Sequence, residues 1–312
     1  MIGQIRFITQ QIMFLFFTYG EHLGARLGYS VPCFSCPYVG SGCAGACYLM
    51  AFQAGRGMEM ALASFFTMEG AYAGLLFLIF LGWIVLFSKT WCGWICPFGT
   101  LQDWLTALRK KTGIREIQFS KRVLKWLGWV KYVLLAYLII IPLLIANAGL
   151  HTDFALPFCQ ICPGKSIMPV FALKLHHFSL DFTNTITLSF SLLLLLITGF
   201  MLMGMFFRER FFCIFCPMLA MIHIVHKISG FRFYKNPKTC IGCGNCQRVC
   251  PMGIQKVYKE RIHKNVMADD CIGCTTCAQA CPTNRTLTFK WFGLTVFSSS
   301  KKNALRFFKK GV

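Results

Sequence analysis

The chain has 312 residues, 56% of them hydrophobic and 14% charged, a balance that excludes an ordinary soluble domain of this size and points to a membrane protein. A formal charge of +21 would suit nucleic acid, but it gathers in the stretches between apolar segments and in the last third of the chain. That placement excludes a nucleic-acid partner and reads as membrane topology and attraction to anionic lipid.

A bilayer core of about 30 Å needs about 20 apolar residues to cross as a helix. Phe7 to Gly20 is the first candidate span, short and interrupted by Gln10 and Gln11, with no small-residue cleavage site after it. The charge-free stretch Leu27 to Gly55 follows and holds Cys33-Phe-Ser-Cys36-Pro37, Cys43 and Cys47. Ala71 to Ser88 is the second span, and Cys92-Gly-Trp-Ile-Cys96-Pro97 comes directly after it. Tyr132 to Leu150 is the third, which Pro142 is expected to kink. Cys159-Gln-Ile-Cys162-Pro163 precedes the fourth span, Phe182 to Phe207, and Cys213-Ile-Phe-Cys216-Pro217 succeeds it. Lys and Arg crowd the 89–131 stretch and everything from Arg208 onward, whereas 21–70 and 151–181 hold few. The excess of basic residues then places the first two regions in the cytoplasm and the other two outside.

The 18 cysteines sit at tight, repeated spacings, which read as metal ligands and not as the framework of a short secreted scaffold. The topology puts Cys92, Cys96, Cys213 and Cys216 on one side at similar depth, where four thiolates suffice for one [4Fe–4S] cubane. Free buried thiols are the competing reading. Each proline can open a short helix whose positive end faces the cluster. Phe98 to Leu108 and Met218 to Ile228 are amphipathic and expected along the membrane interface. Six outward cysteines exceed the need of one cubane. One further cluster would use Cys159 and Cys162 with two of Cys33, Cys36, Cys43 and Cys47, and a disulfide is the competing reading there.

Cys240-Ile-Gly-Cys243-Gly-Asn-Cys246-Gln-Arg-Val-Cys250-Pro251 recurs as Cys271-Ile-Gly-Cys274-Thr-Thr-Cys277-Ala-Gln-Ala-Cys281-Pro282. Both are C-x2-C-x2-C-x3-C-P, the bacterial two-cluster spacing. Three close thiolates wrap one face of a cubane, and the fourth, farther along, reaches the other cluster. Cys240, Cys243, Cys246 and Cys281 are expected to hold one cluster, and Cys271, Cys274, Cys277 and Cys250 the second. Zinc also accepts four thiolates, but paired repeats with a trailing Cys-Pro weigh against it.

The remaining polar candidates have blander readings. His223 and His226, three apart, are expected to hydrogen-bond rather than ligate haem. Asp103 beside Gln102 reads as a helix-surface carboxylate, with quinol proton exchange as the alternative. Met201, Met203 and Met205 read as lipid-facing or packing residues. The segment from Lys301 to Lys310 alternates basic and aromatic residues and is expected on the lipid surface.

Trp91-Cys92-Gly-Trp-Ile-Cys96-Pro97-Phe-Gly, the Cys213/Cys216-Pro217 pair, the multispan core and the C-terminal double cluster together resemble the membrane polyferredoxins. That family is typified by the quinol-dehydrogenase membrane component of periplasmic nitrate reductase, and the resemblance covers most of the chain. It implies electron passage between the quinone pool and partner redox proteins. The expected fold is an all-α multispan membrane domain of about four transmembrane helices, with a C-terminal α+β two-cluster bacterial ferredoxin domain. Residues 1–210 would form the membrane domain, 211–233 an interfacial Cys-Pro helix, 234–290 the ferredoxin domain and 291–312 a basic amphipathic tail. The expected function is that of an iron–sulfur electron-transfer subunit of a quinone-linked oxidoreductase in the cell membrane. Its partners would be membrane lipid, quinone and other redox subunits: an iron–sulfur protein, a cytochrome or a reductase. The alternative is an electron-supplying maturation factor for an extracytoplasmic metalloenzyme.

Overall fold

The structure, a computed structural model, describes residues 2–25, 47–49, 68–148, 157–172, 182–262, 265–267 and 270–309. In chain order the helical body contains α1 (Ile2–Tyr19), α2 (Met68–Phe87), α3 (Thr90–Trp94), α4 (Pro97–Lys111) and α5 (Lys121–Ala148). It continues with α6 (Pro157–Ile161), α7 (Pro163–Ile167), α8 (Thr185–Phe207), α9 (Phe211–Phe215) and α10 (Pro217–Val225).

Each expected span falls on a helix. Among the described residues two stretches, Arg122–Ile141 within α5 and Thr185–Phe207, are long and apolar enough to cross a membrane. The apolar faces are not all turned inward. Leu78, Val133 and Leu196 on α2, α5 and α8 are 64%, 65% and 71% exposed, while Phe80, Leu138 and Leu194 on the same helices are buried. α5 starts at Lys121, well before the expected Tyr132. Its first turns are held by the C-terminal module: Leu124 lies against Gly253, and the buried Lys131 ammonium pairs with Asp270. α1 rises about 27 Å over its 18 residues. Near its start, Arg6 and Gln10 bond to α4, while at its end Tyr19 Oη donates to the Phe171 carbonyl at 2.6 Å.

α4 and α10 each bury one face against neighbouring helices. α4 is wedged between α1 and α8, burying Phe98, Thr100, Leu101, Gln102 and Arg109. α10 packs on α5 and α2 through Met218, Leu219, Ala220 and Ile222. Amphipathicity predicted one buried face but not which neighbour would cover it.

The C-terminal module is a three-stranded antiparallel sheet carrying short helices. β1 (Phe231–Lys235), α11 (Asn245–Arg248), α12 (Lys256–Lys259), α13 (Thr276–Gln279), β2 (Leu287–Trp291), β3 (Leu294–Ser298) and α14 (Lys301–Lys309) follow in order. The sheet order is β1-β2-β3, with Phe233 opposite Phe289 and both buried. Residues on both sides of 234–290 join it: β1 begins at Phe231, and β3 lies in the segment expected as a tail. The module is pinned to the end of α2 by the Gly230 N–H on the Val85 carbonyl and by Trp291 Nε1 on the Leu86 carbonyl.

Candidate metal centres

One local device is used repeatedly. α2 ends on Ser88 (φ 49) and α8 is followed by Arg210 (φ 55), both left-handed. Each is followed by a five-residue helix bearing a cysteine, Cys92 in α3 and Cys213 in α9. A second cysteine, Cys96 (φ −58, ψ 119) or Cys216 (φ −66, ψ 113), then precedes a proline at the first position of the next helix. Proline disfavours helical geometry in the residue before it and tolerates helix position one, where no N–H is needed. The Cys-Pro pair therefore kinks the chain and sets a thiol at the mouth of a new helix. The Cys96 and Cys216 carbonyls accept from Thr100 and Leu219 at 3.1 Å, closing the first turns.

The two corners bring Cys92, Cys96, Cys213 and Cys216 together. Every pair among the four is close enough for one thiolate to act on the other. Burial, first, and neighbouring thiolates push Cys92 and Cys216 well above the ordinary thiol range. Gln102 orients the set from α4: its Nε2 donates to Cys213 Sγ at 3.5 Å, and its Oε1 accepts the Phe212 N–H at 3.0 Å. The indole N–H of the buried Trp91 has no acceptor among the described residues, and its ring packs beside Cys96.

In the C-terminal module, Cys240, Cys243, Cys246 and Cys281 line one small pocket. Cys250, Cys271, Cys274 and Cys277 line a second, and Cys246 touches both. Backbone N–H groups already point at sulfur: Ile254 to Cys250 and Gly273 to Cys271, each at 3.4 Å. Burial, first, and its companions push the Cys250 thiol up to about 12. Lys235, buried, donates to the Val257, Tyr258 and Glu260 carbonyls at 2.8, 2.9 and 2.7 Å beside the first cavity.

The second and third sets abut. A Cβ on Gly93 would stand 2.4 Å from the Ile272 carbonyl oxygen, and one on Gly273 would stand 2.9 Å from Thr90 Cα. Gly273 also has φ +64, a conformation glycine adopts without cost. Trp94 Nε1 donates to the Gly273 carbonyl at 3.0 Å, so the 271–274 loop lies backbone to backbone on α3.

Of the cysteines expected to face outward, Cys33, Cys36 and Cys43 lie outside the described residues. Cys47, Cys159 and Cys162 are buried. Cys159 sits in the five-residue α6, and Cys162 (φ −75, ψ 123) precedes Pro163 at the start of α7, repeating the Cys-Pro part of the device. Asp103 is no free surface carboxylate. Its Oδ2 accepts from Gln10, Arg6 and Arg210 at 2.8, 3.1 and 2.5 Å, a network joining α1, α4 and the Arg210 corner. His223 Nδ1 pairs with Tyr132 Oη at 2.6 Å, the hydrogen-bonding role expected of it. Met201 and Met205 pack inward and Met203 faces out. Sequence reading overlooked Arg210, whose only signal was a charge between two apolar runs.

The donors lining these sites suit iron–sulfur clusters. Among the described residues no three His, Cys, Asp or Glu side chains converge on one ion. Zinc would draw four sulfurs to about 2.3 Å from one centre, whereas a cubane binds each thiolate to a different iron and keeps them apart. Residues 70–115 and 188–236 match the family model "4Fe-4S binding domain", one copy on each Cys-Pro corner, and residues 232–282 match "4Fe-4S dicluster domain". YccM of Escherichia coli K12, provisionally named an electron transport protein, is 29% identical over 184 residues, which is 59% of this chain and 47% of YccM. NirI of Paracoccus denitrificans is 27% identical over 164 residues, 52% of this chain and 21% of NirI. The uncharacterized protein MJ0750 of Methanocaldococcus jannaschii is 28% identical over 172 residues, 55% of this chain and 62% of its own length. The chain thus spans less than two thirds of each of these relatives. No solved structure matches. Cluster-binding family models over the helix corners and the C-terminal module, with a likeness to electron transport relatives, support an iron–sulfur electron-transfer role and a likeness to the membrane polyferredoxin family.

Proposed function

We propose that this chain is a membrane-bound electron-transfer subunit relaying electrons between its C-terminal module, a site at the helix corners, and the quinone pool or an extracytoplasmic redox partner. The observation that carries the reading is the contact of the second thiol set on the third through Gly93, Trp94 and Gly273. Cys240, Cys243, Cys246 and Cys281 would hold one [4Fe–4S] cluster, Cys250, Cys271, Cys274 and Cys277 a second, and Cys92, Cys96, Cys213 and Cys216 a third. Bound there, such clusters supply reversible one-electron transfer. The residues would hold them at adjoining sites, and the apolar packing around Phe98, Phe212 and Ile272 excludes water.

Cys159 and Cys162 would hold a fourth cluster, with two further ligands from Cys33, Cys36, Cys43 and Cys47. Their Cys-Pro geometry, matching that of the two corners, supports it. The exposed Leu78, Val133 and Leu196 support a lipid environment and a multispan body. The basic stretches support a cytoplasmic C-terminal module, with membrane lipid, quinone and further redox subunits as partners.

Iron and acid-labile sulfide counted in anaerobically purified protein test the reading. Three cubanes predict about 12 of each per chain, and the outward cluster about 16. Iron for two cubanes only would reject the relay and leave an anchored ferredoxin.

A further inference from the structure

One buried guanidinium lies between the second and third thiol sets. Arg210 is 1% exposed. Its backbone is left-handed (φ 55), a conformation that non-glycine residues keep only where the surroundings impose it. Nη1 donates to the Cys92 carbonyl at 3.1 Å, and Nη2 donates to Asp103 Oδ2 at 2.5 Å. Room for this exists because residue 99 is glycine: a Cβ there would stand 2.3 Å from Arg210 Nη1. The guanidinium acts on Cys213 of the third set and Cys274 of the second, so its charge is shared between them. Asp103, held also by Arg6, offsets part of that charge.

We propose that Arg210 is a positioning residue that sets the reduction potentials of the clusters at Cys92/Cys96/Cys213/Cys216 and Cys250/Cys271/Cys274/Cys277, with Asp103 as its counterweight. The proposal rests on the ligation reading above. A thiolate-bound cluster is anionic, and reduction adds one more negative charge. A fixed cation in a low-dielectric interior favours that added electron far more than one in water does. Arginine suits the role because it stays protonated at every working pH. The same cation between two clusters draws their potentials upward together, which eases exchange across the Gly93–Gly273 contact. Cys240, Cys243, Cys246 and Cys281 lie beside Lys235 instead and form an internal reference.

The test is an EPR-monitored redox titration of the full-length, anaerobically purified chain, with iron and sulfide counted in each sample. Arg210→Gln is expected to lower the potentials of the two flanking clusters. At a fixed ambient potential the ratio of reduced to oxidised cluster should fall about tenfold or more, about 59 mV for a one-electron couple. The Cys240 cluster should move less, and Arg210→Lys should restore most of the shift. Asp103→Asn should move the same two potentials upward, a reversal of sign that a merely structural role does not produce. Full iron in Arg210→Gln with potentials unmoved, or with all clusters shifted alike, overturns the proposal. Should Arg210→Gln lose iron, Asp103→Asn decides alone: an upward shift supports the assignment, and none or a downward one overturns it. Wild-type protein lacking the corner cluster sinks the ligation reading itself, a separate outcome visible in the iron count.

Discussion

The corner from Ser88 to Pro97 and the corner from Arg210 to Pro217 share a left-handed residue, a five-residue helix with the first cysteine, and an extended cysteine before proline. They differ by one residue of spacing, C-x3-C against C-x2-C. The first corner presents Gly93 and Trp94 to the 271–274 loop. The second is buried from Phe211 to Cys216 and packs on α5 and α8. Proline and the paired cysteines set the turn in both. The residues between the cysteines decide whether the turn becomes a docking face or part of the core.

If the corners serve one site, Cys96→Ser and Cys216→Ser must do equal damage. Each should remove about four iron atoms per chain and abolish the same EPR signal. Loss of different signals from the two variants breaks the equivalence. The docking face should be the more sensitive to added bulk. Gly93→Val forces a side chain onto the Ile272 carbonyl and should cost about 3 kcal/mol, the upper range for overpacking. Hydrogen exchange at 272–274 should quicken sharply. Ile214→Val, in the buried corner, should cost about 1 kcal/mol and leave exchange at 272–274 unchanged. A Gly93→Val protein with native exchange there would dissolve the proposed contact. Gln102→Leu probes the second corner from α4. It strands the buried Phe212 N–H and removes the donor to Cys213, and should cost about 1–3 kcal/mol by thermal melting in detergent.

What was legible in the sequence was local. The C-x2-C-x2-C-x3-C-P repeats pick out the same two sets of four that line the two cavities, because that spacing wraps a loop without help from distant residues. The Cys-Pro corners were legible for the same reason. Contacts made far along the chain were not. Arg210 meets Asp103 across 107 residues and Arg6 meets it across 97, and neither partner carries a periodic or motif signal. Asp103 read as a surface carboxylate because its neighbours on α4 are mixed. The amphipathic stripes of α4 and α10 suit lipid and protein equally, so the protein neighbours that bury one face of each were not legible. β3 hid in 291–312, which was expected as a tail because its basic and aromatic residues from Lys301 onward suit a lipid surface.

The smallest expected effect concerns acid. Burial alone would raise the Asp103 carboxyl, but Arg210 and then Arg6, with a hydrogen bond from Gln10, outweigh it and hold the group below its usual range. A carboxyl depressed in the folded state lends stability that is fully present above its unfolded pKa of about 3.9 and fades as pH falls through the folded value. The contribution should thus be constant from neutral pH down to about 4. Acid also strips iron–sulfur clusters, so the informative quantity is the difference in melting temperature between wild type and Asp103→Asn. That difference should be flat from pH 7 to about pH 4 and shrink below. A difference that grows toward acid would mean Asp103 is better bound when protonated, and the Arg210 corner would then lack the ion pair that sets it apart from its Ser88 counterpart.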